Sequence, residues 1–443
     1  MRILHYALGF PPYRTGGLTK FCMDMMQQQK KLGHEVALIW PGQMNIFDKS
    51  VKVKYRKEYN GISSFEIINP LPVSYDEGIT EIDAFTASCG TESFRKFLKS
   101  YHPDVIHVHT LMGLHKEFME VAKEFKLKTV FTVHDFFTVC PKVTMFREGH
   151  ICNKVADCVL CPQCNLTALS MKKIFLLQSP IYRKLKDSSV VKKLRKNHRD
   201  QYLSGEASAL AEITAPHNVS NDYIRLRKYY GEMISLFDTV HCNSSVTKRA
   251  FEQYFSVKSL KVISISHEDI RDSRIKKEFL PDKLRLTYLG PGGEAKGFFL
   301  LKTALDQLWL TDKTFKLNIY FTPIEISPYM MVHDRYNYSQ LESIFQETDV
   351  VITPSIWYET FGYTVLEAIS HGVPVIISGT VGAKDIIPDG CGVIVEDIDK
   401  DKLKNAVQSL TLKKLKAMNE NILESANIIT LDKMTRDIMK QCY

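Results

Sequence analysis

Two glutamates, Glu359 and Glu367, lie with seven residues between them in the segment PSIWYETFGYTVLEAISHGVPVI, 354–376. Glu359 follows the apolar run DVVITP, and Phe361, Gly362, Tyr363 and Thr364 then open a helical pattern. The first N–H groups of a helix have no intrahelical partner and sit at the positive end of its dipole. Such an end binds a diphosphate readily. Glu367 projects from the same helix toward the same cleft, where a carboxylate can accept both hydroxyls of a ribose. The bland alternative is a capped surface helix carrying two solvated glutamates.

A second constellation is sulfur. Cys140, Cys152, Cys158, Cys161 and Cys164 cluster in one stretch, and Cys158-x-x-Cys161-x-x-Cys164 spaces thiolates closely. Four of the five could hold a structural metal, zinc first and iron–sulfur second, or all could remain reduced thiols. The other cysteines (Cys22, Cys89, Cys242, Cys391 and Cys442) stand singly and read as small buried hydrophobes.

These groups need a scaffold, and the sequence supplies strands alternating with helices. Arg2–Leu8 reads as a strand, PPYRTGG as a loop with Gly16 and Gly17, Leu18–Leu32 as a helix ended by Gly33, and HEVALIW as the next strand. DVIHVHT (Asp104–Thr110), a helix near Lys116–Phe125 and KTVFTVHD (Lys128–Asp135) continue the series; TVHCNSS and KVISIS resume it at Thr239 and Lys261. Mostly apolar short strands separated by helices predict a doubly wound parallel sheet. A second series begins at RLTYLGPGG (Arg285–Gly293) and runs through KLNIYFT, DVVITPS, the helix Phe361–His371, VPVIIS and GVIVE. The expected architecture is therefore α/β, with two Rossmann-like domains facing a cleft. The boundaries are residues 1–270 and 284–443, joined by the polar stretch HEDIRDSRIKKEFLPDK, with an insertion at about 140–203 and a last helix that packs back on the N-terminal domain. Ligands of such sheets bind outside the carboxyl ends of the strands. That rule selects Gly16, Gly17, His134, the loop of the 290s and Glu359.

Composition bounds the rest. The chain has 443 residues, 44% hydrophobic and 24% charged, which is globular and too long for one typical core. No run approaches the roughly 18 apolar residues of a membrane helix, and MRILHYALGFPP lacks the parts of a secretory leader, so a cytoplasmic location is expected. Of the net charge of +8, much is local: between Met171 and Arg199 ten Lys/Arg (Lys172, Lys173, Arg183, Lys184, Lys186, Lys192, Lys193, Arg195, Lys196, Arg199) face one acid, Asp187. Ile174, Phe175, Leu176, Leu177, Ile181 and Tyr182 interleave with them. That mixture suits peripheral contact with an anionic membrane face, or else a solvated helical face. No nucleic-acid-binding motif is present. The N-terminal loop also lacks G-x-G-x-x-G, which disfavours a dinucleotide dehydrogenase.

The segment around Glu359 and Glu367 resembles the Glu-x7-Glu signature of the family 4 glycosyltransferases, retaining enzymes of GT-B fold, with Phe-Gly, Glu-Ala and HGVPVI in the corresponding places. The resemblance implies that Glu359 contacts the transferred sugar, Glu367 the nucleotide ribose, and Phe361, Gly362, Tyr363 and Thr364 the diphosphate of a UDP- or GDP-sugar. Gly16 and Gly17 match the family's Gly-Gly loop over the donor phosphates, His134 its histidine near donor sugar and acceptor, and Lys296 in LGPGGEAKG its leaving-group lysine. It further implies a glycan or lipid-linked acceptor, surface polysaccharide or glycoconjugate synthesis, and no cofactor required for catalysis. Three departures stand out: Pro291 replaces the family arginine, Ser266-His267-Glu268 replaces Asn-Gly, and Phe321-Thr322-Pro323-Ile324 replaces a Gly-Pro region. They feed the alternative of a catalytically inert GT-B protein that binds a glycan or a protein, but Glu359, Glu367, Lys296, Gly16, Gly17 and His134 together argue for the enzyme.

Overall fold

The structure is a computed structural model that describes residues 1–11, 14, 16–45, 47–153, 158–185, 188 and 220–443. The strands of its first half are β1 (Arg2–Tyr6), β2 (Glu35–Pro41), β3 (Lys52–Tyr59), β4 (Ile62–Ile68), β5 (Val105–Val108), β6 (Lys128–Val133), β7 (Phe146–Arg147), β8 (His150–Ile151), β9 (Thr239–Cys242) and β10 (Leu260–Val262). Eight of them form one sheet in the order β10-β9-β6-β5-β1-β2-β4-β3, parallel except where β3 runs antiparallel to β4. In the second half β11 (Leu284–Tyr288), β12 (Phe315–Ile319), β13 (Met330–Val332), β14 (Val350–Thr353), β15 (Val375–Ser378) and β16 (Gly392–Val395) form a parallel sheet ordered β13-β12-β11-β14-β15-β16.

Both orders reverse direction beside their first strand, between β1 and β5 and between β11 and β14. A crevice opens at such a switch point because the connections on either side leave in opposite directions. The central strands are wholly buried and mostly apolar, as at Val105–Val108 and Val375–Ser378, because helices cover both faces. One apolar cluster runs through both halves: Phe21, Met25 and Met26 of the first helix join Val365 and Leu366 of the helix Tyr363–Ser370 and Met434 and Ile438 of the helix Leu431–Cys442. That last helix packs on the first, where Gln28 Nε2 donates to Asp432 Oδ1 at 2.7 Å.

The run KVISIS forms a strand only at its start: β10 ends at Val262, and the chain then leaves the sheet. The polar stretch after it is strapped down along its length. Arg274 donates to the carbonyls of Ile422 and Ala426 at 2.7 and 2.8 Å. Lys277, only 7% exposed, donates Nζ to the carbonyl oxygens of Phe345 and Gln346 at the end of a helix, a position that favours a cation. Burial brings its ammonium down to about 8.

Candidate active site

Lys296 lies in the loop after β11 and Glu359 in the loop after β14, so the switch point sets them together: the ammonium is hydrogen-bonded to Glu359 Oε2. Trp357 Nε1 donates to the same oxygen at 3.1 Å, and its ring lies 4.9 Å from Lys296 Nζ. The cation is thus held by a carboxylate and an aromatic face together. Gly297 allows this approach. It has φ +73°, and a Cβ there would lie 1.9 Å from the Pro354 carbonyl oxygen. Gly297→Ala is therefore expected to lower stability by about 1–3 kcal/mol through left-handed strain and a clash with unyielding backbone. Thermal unfolding measures it, and an unchanged midpoint would disprove the close packing of these two loops.

Gly362, at φ +101°, caps the helix Tyr363–Ser370, while Phe361 is buried beneath it. The Tyr363 ring faces the first helix, and a Cβ on Gly17 would sit 3.9 Å from its edge. Gly16, at φ +108°, caps that helix with open space on its Cβ side. The glycine loop and the helix start at Tyr363 and Thr364 therefore oppose each other. Thr360 fixes the approach: its Oγ1 donates to the His134 carbonyl at 3.1 Å, and its own carbonyl accepts from Ser244 Oγ at 2.8 Å and Thr247 Oγ1 at 2.9 Å.

Glu367 is only 4% exposed, and its Oε1 accepts from His267 Nε2 at 3.1 Å. On the ring's other side Nδ1 lies 3.3 Å from the Asp269 amide nitrogen and 3.4 Å from Asp269 Oδ2, so the imidazole stands between two carboxylates. His267 belongs to the linker segment that departs from the family pattern, and reading the sequence alone did not reveal it as a partner of Glu367. Half-buried His134 packs its ring on Phe21, and its Nε2 lies 3.2 Å from His109 Nδ1. Burial brings the His134 imidazole down to about 3, so it is neutral at physiological pH.

The expected four-sulfur site draws on cysteines that interact in part, Cys158 with Cys161 and Cys140 with Cys152 and Cys164. Among the described residues, no three of Cys140, Cys152, Cys158, Cys161 and Cys164 bring their sulfurs within 4.8 Å of one another. Cys158, in a left-handed turn, is buried and pairs with Cys161, whereas Cys152 is exposed. Cys161 and Cys164 merely open and close a single helical turn. The segment nevertheless reaches the site: Tyr358 OH, beside Glu359, donates to Asn153 Oδ1 at 3.3 Å, and a Cβ on Gly149 would lie 3.2 Å from Glu294 Oε1. The groups that do converge are His5/His107/His109, Cys22/His109/His134 and Cys89/His115/Glu117. In the first two, both His109 nitrogens are already paired with other imidazoles, at 2.9 and 3.2 Å.

The model of the Glycosyltransferase Family 4 group matches residues 15–163, and that of Glycosyl transferases group 1 matches residues 324–426. The chain has the GT-B fold, with a glycosyltransferase model matching a stretch of each half. Solved structures with this fold cover nearly all of it. A sucrose-phosphate synthase of Thermosynechococcus elongatus superposes with TM-score 0.57 at 13% identity, over 99% of this chain and 97% of that one. HepE of Anabaena, solved with UDP and glucose, gives 0.54 at 12% identity, over 99% and 98%. WaaG, a glycosyltransferase involved in lipopolysaccharide biosynthesis, gives 0.53 at 14%, over 99% of each chain. An uncharacterized 41.2 kDa protein in the cps region of Klebsiella pneumoniae is 28% identical over 149 residues, which is 31% of this chain and 41% of that relative. Among the described residues, no helix is long and apolar enough to cross a membrane.

Proposed function

We propose that this chain moves a glycosyl group from a nucleoside-diphosphate sugar to a hydroxyl of a glycan or lipid-linked acceptor, with retention at the anomeric carbon. The observation that carries the reading is the meeting of Lys296 and Glu359 at the switch point, with Thr360 tied to the His134 carbonyl. In the reaction the bond from the anomeric carbon to the β-phosphate oxygen breaks, and its electron pair leaves with the diphosphate. Lys296 and the N–H groups at Phe361, Gly362, Tyr363 and Thr364 stabilise that charge. The acceptor oxygen bonds to the same face of the carbon, and its proton passes to the departing phosphate oxygen. Gly16 and Gly17 let backbone close over the phosphates, Glu359 orients the sugar, and His134 lies beside the sugar and acceptor. No step needs a divalent ion. With purified protein, turnover of UDP- or GDP-sugars is expected to persist in EDTA, and proton NMR of fresh product is expected to show the donor's anomeric configuration. An inverted product would exclude this mechanism. The Lys296–Glu359 pair neutralises itself in the absence of donor, and Pro291 supplies no second cation, which favours an inert binding protein as the second reading. Nucleotide binding without hydrolysis or transfer of any donor would select it.

Glu367 keeps Oε2 without a hydrogen bond among the described residues, and that oxygen is our candidate for the ribose. Glu367→Ala is expected to weaken nucleotide binding about 10- to 100-fold, the equivalent of one or two charge-assisted hydrogen bonds. Calorimetry with UDP and GDP measures this, and unchanged affinity would remove the ribose role.

The acceptor is proposed to be anchored in a membrane, approached through the basic segment. Of that segment the described part is the helices Met171–Leu177 and Pro180–Leu185, while Lys186, Asp187, Lys192, Lys193, Arg195, Lys196 and Arg199 lie outside the described residues. Ile174 is not surface: it is buried in the core. Arg183 is engaged by buried Glu66 at 2.5 Å. Lys172 and Lys173 are exposed together with Leu176, Ile181 and Leu185. Met44 N–H donates to the Gln178 carbonyl at 2.9 Å, which sets the loop carrying exposed Phe47 beside them. Sedimentation with anionic liposomes at low salt, weakened at high salt and absent with neutral vesicles, is the expected result. Equal, negligible binding to both vesicle types would leave a free glycan as the acceptor.

A further inference from the structure

Behind His134 lies a continuous chain of buried polar side chains that the proposed reaction does not use. The parallel registers place His5 opposite His107 and Thr132 opposite His241 on neighbouring strands. Gln29 of the first helix and Tyr443 cover them. His109 connects His134 to His5 through contacts of 3.2 and 2.9 Å, and His5 Nε2 lies 2.7 Å from Gln29 Oε1. On its other side Gln29 Nε2 reaches Tyr443 OH at 2.8 Å, and Tyr443 OH reaches His107 Nδ1 at 2.8 Å. His107 Nε2 contacts Thr132 Oγ1 at 2.6 Å, Thr132 Oγ1 contacts His241 Nδ1 at 3.0 Å, and His241 Nε2 ends the chain at the Ile263 carbonyl, 2.8 Å away.

The direction of every bond follows from that last partner. A carbonyl oxygen only accepts, so His241 Nε2 carries a hydrogen. Burial pushes all five imidazoles below their ordinary range, so each is neutral, with one nitrogen donating and one accepting. His241 Nδ1 must then accept from Thr132, which accepts from His107 Nε2, whose Nδ1 accepts from Tyr443. The tyrosine oxygen accepts from the Gln29 amide nitrogen, which turns the amide oxygen toward His5. His5 donates to it from Nε2 and accepts at Nδ1 from His109 Nε2. His109 Nδ1, left bare, accepts from His134 Nε2. Reversing any one bond reverses the rest and sets a bare His241 nitrogen against the Ile263 oxygen.

We propose that the Ile263 carbonyl, acting through these side chains, locks His134 in the tautomer that presents a bare, hydrogen-bond-accepting Nδ1 to the cleft. His134 Nδ1 has no hydrogen-bond partner among the described residues, and the residue is half-buried at the end of β6. The chain is an orienting device and not a proton relay, because its far end is a backbone carbonyl that can neither release nor take up a proton near neutral pH. The group matched to Nδ1 is an O–H donor, such as a sugar hydroxyl. Its use in catalysis rests on the sugar-transfer reading, whereas the tautomer does not. Gln29, Tyr443, Thr132 and His241 are positioning residues in this scheme.

Full-length protein with 15N-labelled histidine tests it without donor or turnover. Long-range 15N–1H spectra separate bare from protonated ring nitrogens, and His134→Gln identifies the His134 signals by their loss. The wild type is expected to show His134 with bare Nδ1 and protonated Nε2. Tyr443→Phe frees the Gln29 amide to turn over, so the His134 nitrogens are expected to average between two tautomers. Thr132→Val, which cuts the chain nearer its anchor, is expected to act alike and replaces Tyr443→Phe if that variant fails to fold. A proton on wild-type His134 Nδ1 overturns the assignment, and a single unchanged tautomer in a folded variant overturns the coupling. Absence of sugar transfer with the expected spectra would refute the proposed reaction alone.

Discussion

Replacement of Lys296 by methionine is expected to lower kcat by about 100- to 1,000-fold, the range seen when one preorganised stabiliser of developing charge is removed. Methionine keeps the length and apolar body of the stem while deleting the ammonium. In the free protein that ammonium is held by Glu359 Oε2 and stands over Trp357. An arriving diphosphate brings greater negative charge to the same place, and that charge grows as the sugar departs. The effect therefore falls on kcat more than on nucleotide affinity, and steady-state rates beside calorimetric affinities separate the two. Lys296→Arg, which keeps the charge but not its shape, is expected to recover part of the rate. A methionine variant within threefold of wild-type kcat would show that Lys296 is not the leaving-group cation.

Acid is expected to unfold this protein early. His5, His107, His109 and His241 are at most 1% exposed, and burial lowers each, His5 and His241 to about 4. A depressed imidazole contributes nothing to the pH dependence above its unfolded value, near 6.5, because both states are then neutral. As pH falls below that value the unfolded chain takes up protons that the folded chain refuses. At pH 5.5 this amounts to about 1.4 kcal/mol per imidazole, or about 6 kcal/mol for four, which is comparable to the whole stability of an ordinary domain. Near-ultraviolet circular dichroism should show tertiary structure lost between about pH 6 and 5. His241→Gln is expected to move the midpoint downward, provided the glutamine amide still donates to the Ile263 carbonyl. Retention of native signal at pH 4.5 would refute the neutrality of these rings in the folded state.

The two-sheet architecture was legible because parallel strands buried on both faces leave short apolar runs, and Val105–Val108 and Val350–Thr353 are such runs. β3 and β4 escaped because KVKYRKEY at an exposed edge carries few apolar residues, although Asn60-Gly61 between them, with φ 49° and 70°, is a strong hairpin signal. Lys296 and Glu359 could be named from strand ends and family resemblance, but their pairing needed the strand order, which brings β11 beside β14. The histidines of β1, β5 and β9 look in sequence like scattered polar interruptions. Only the register sets His5 against His107. Close spacing of the cysteines along the chain was a weaker guide: Cys158 meets Cys161, and Cys140 interacts with Cys152 and Cys164, yet no three of the five sulfurs lie within 4.8 Å of one another among the described residues.

The outer strands of both sheets bear on how copies of this chain behave when crowded. β3, at one margin of the first sheet, exposes Lys52, Lys54, Lys57 and Glu58 along its length. The opposite margin, β10, is three residues long, as is β13 at one side of the second sheet, and β16 has four. A margin that is charged or very short offers a neighbouring strand little backbone on which to continue the ladder. Edge-to-edge growth into fibrils is thereby disfavoured at all four margins.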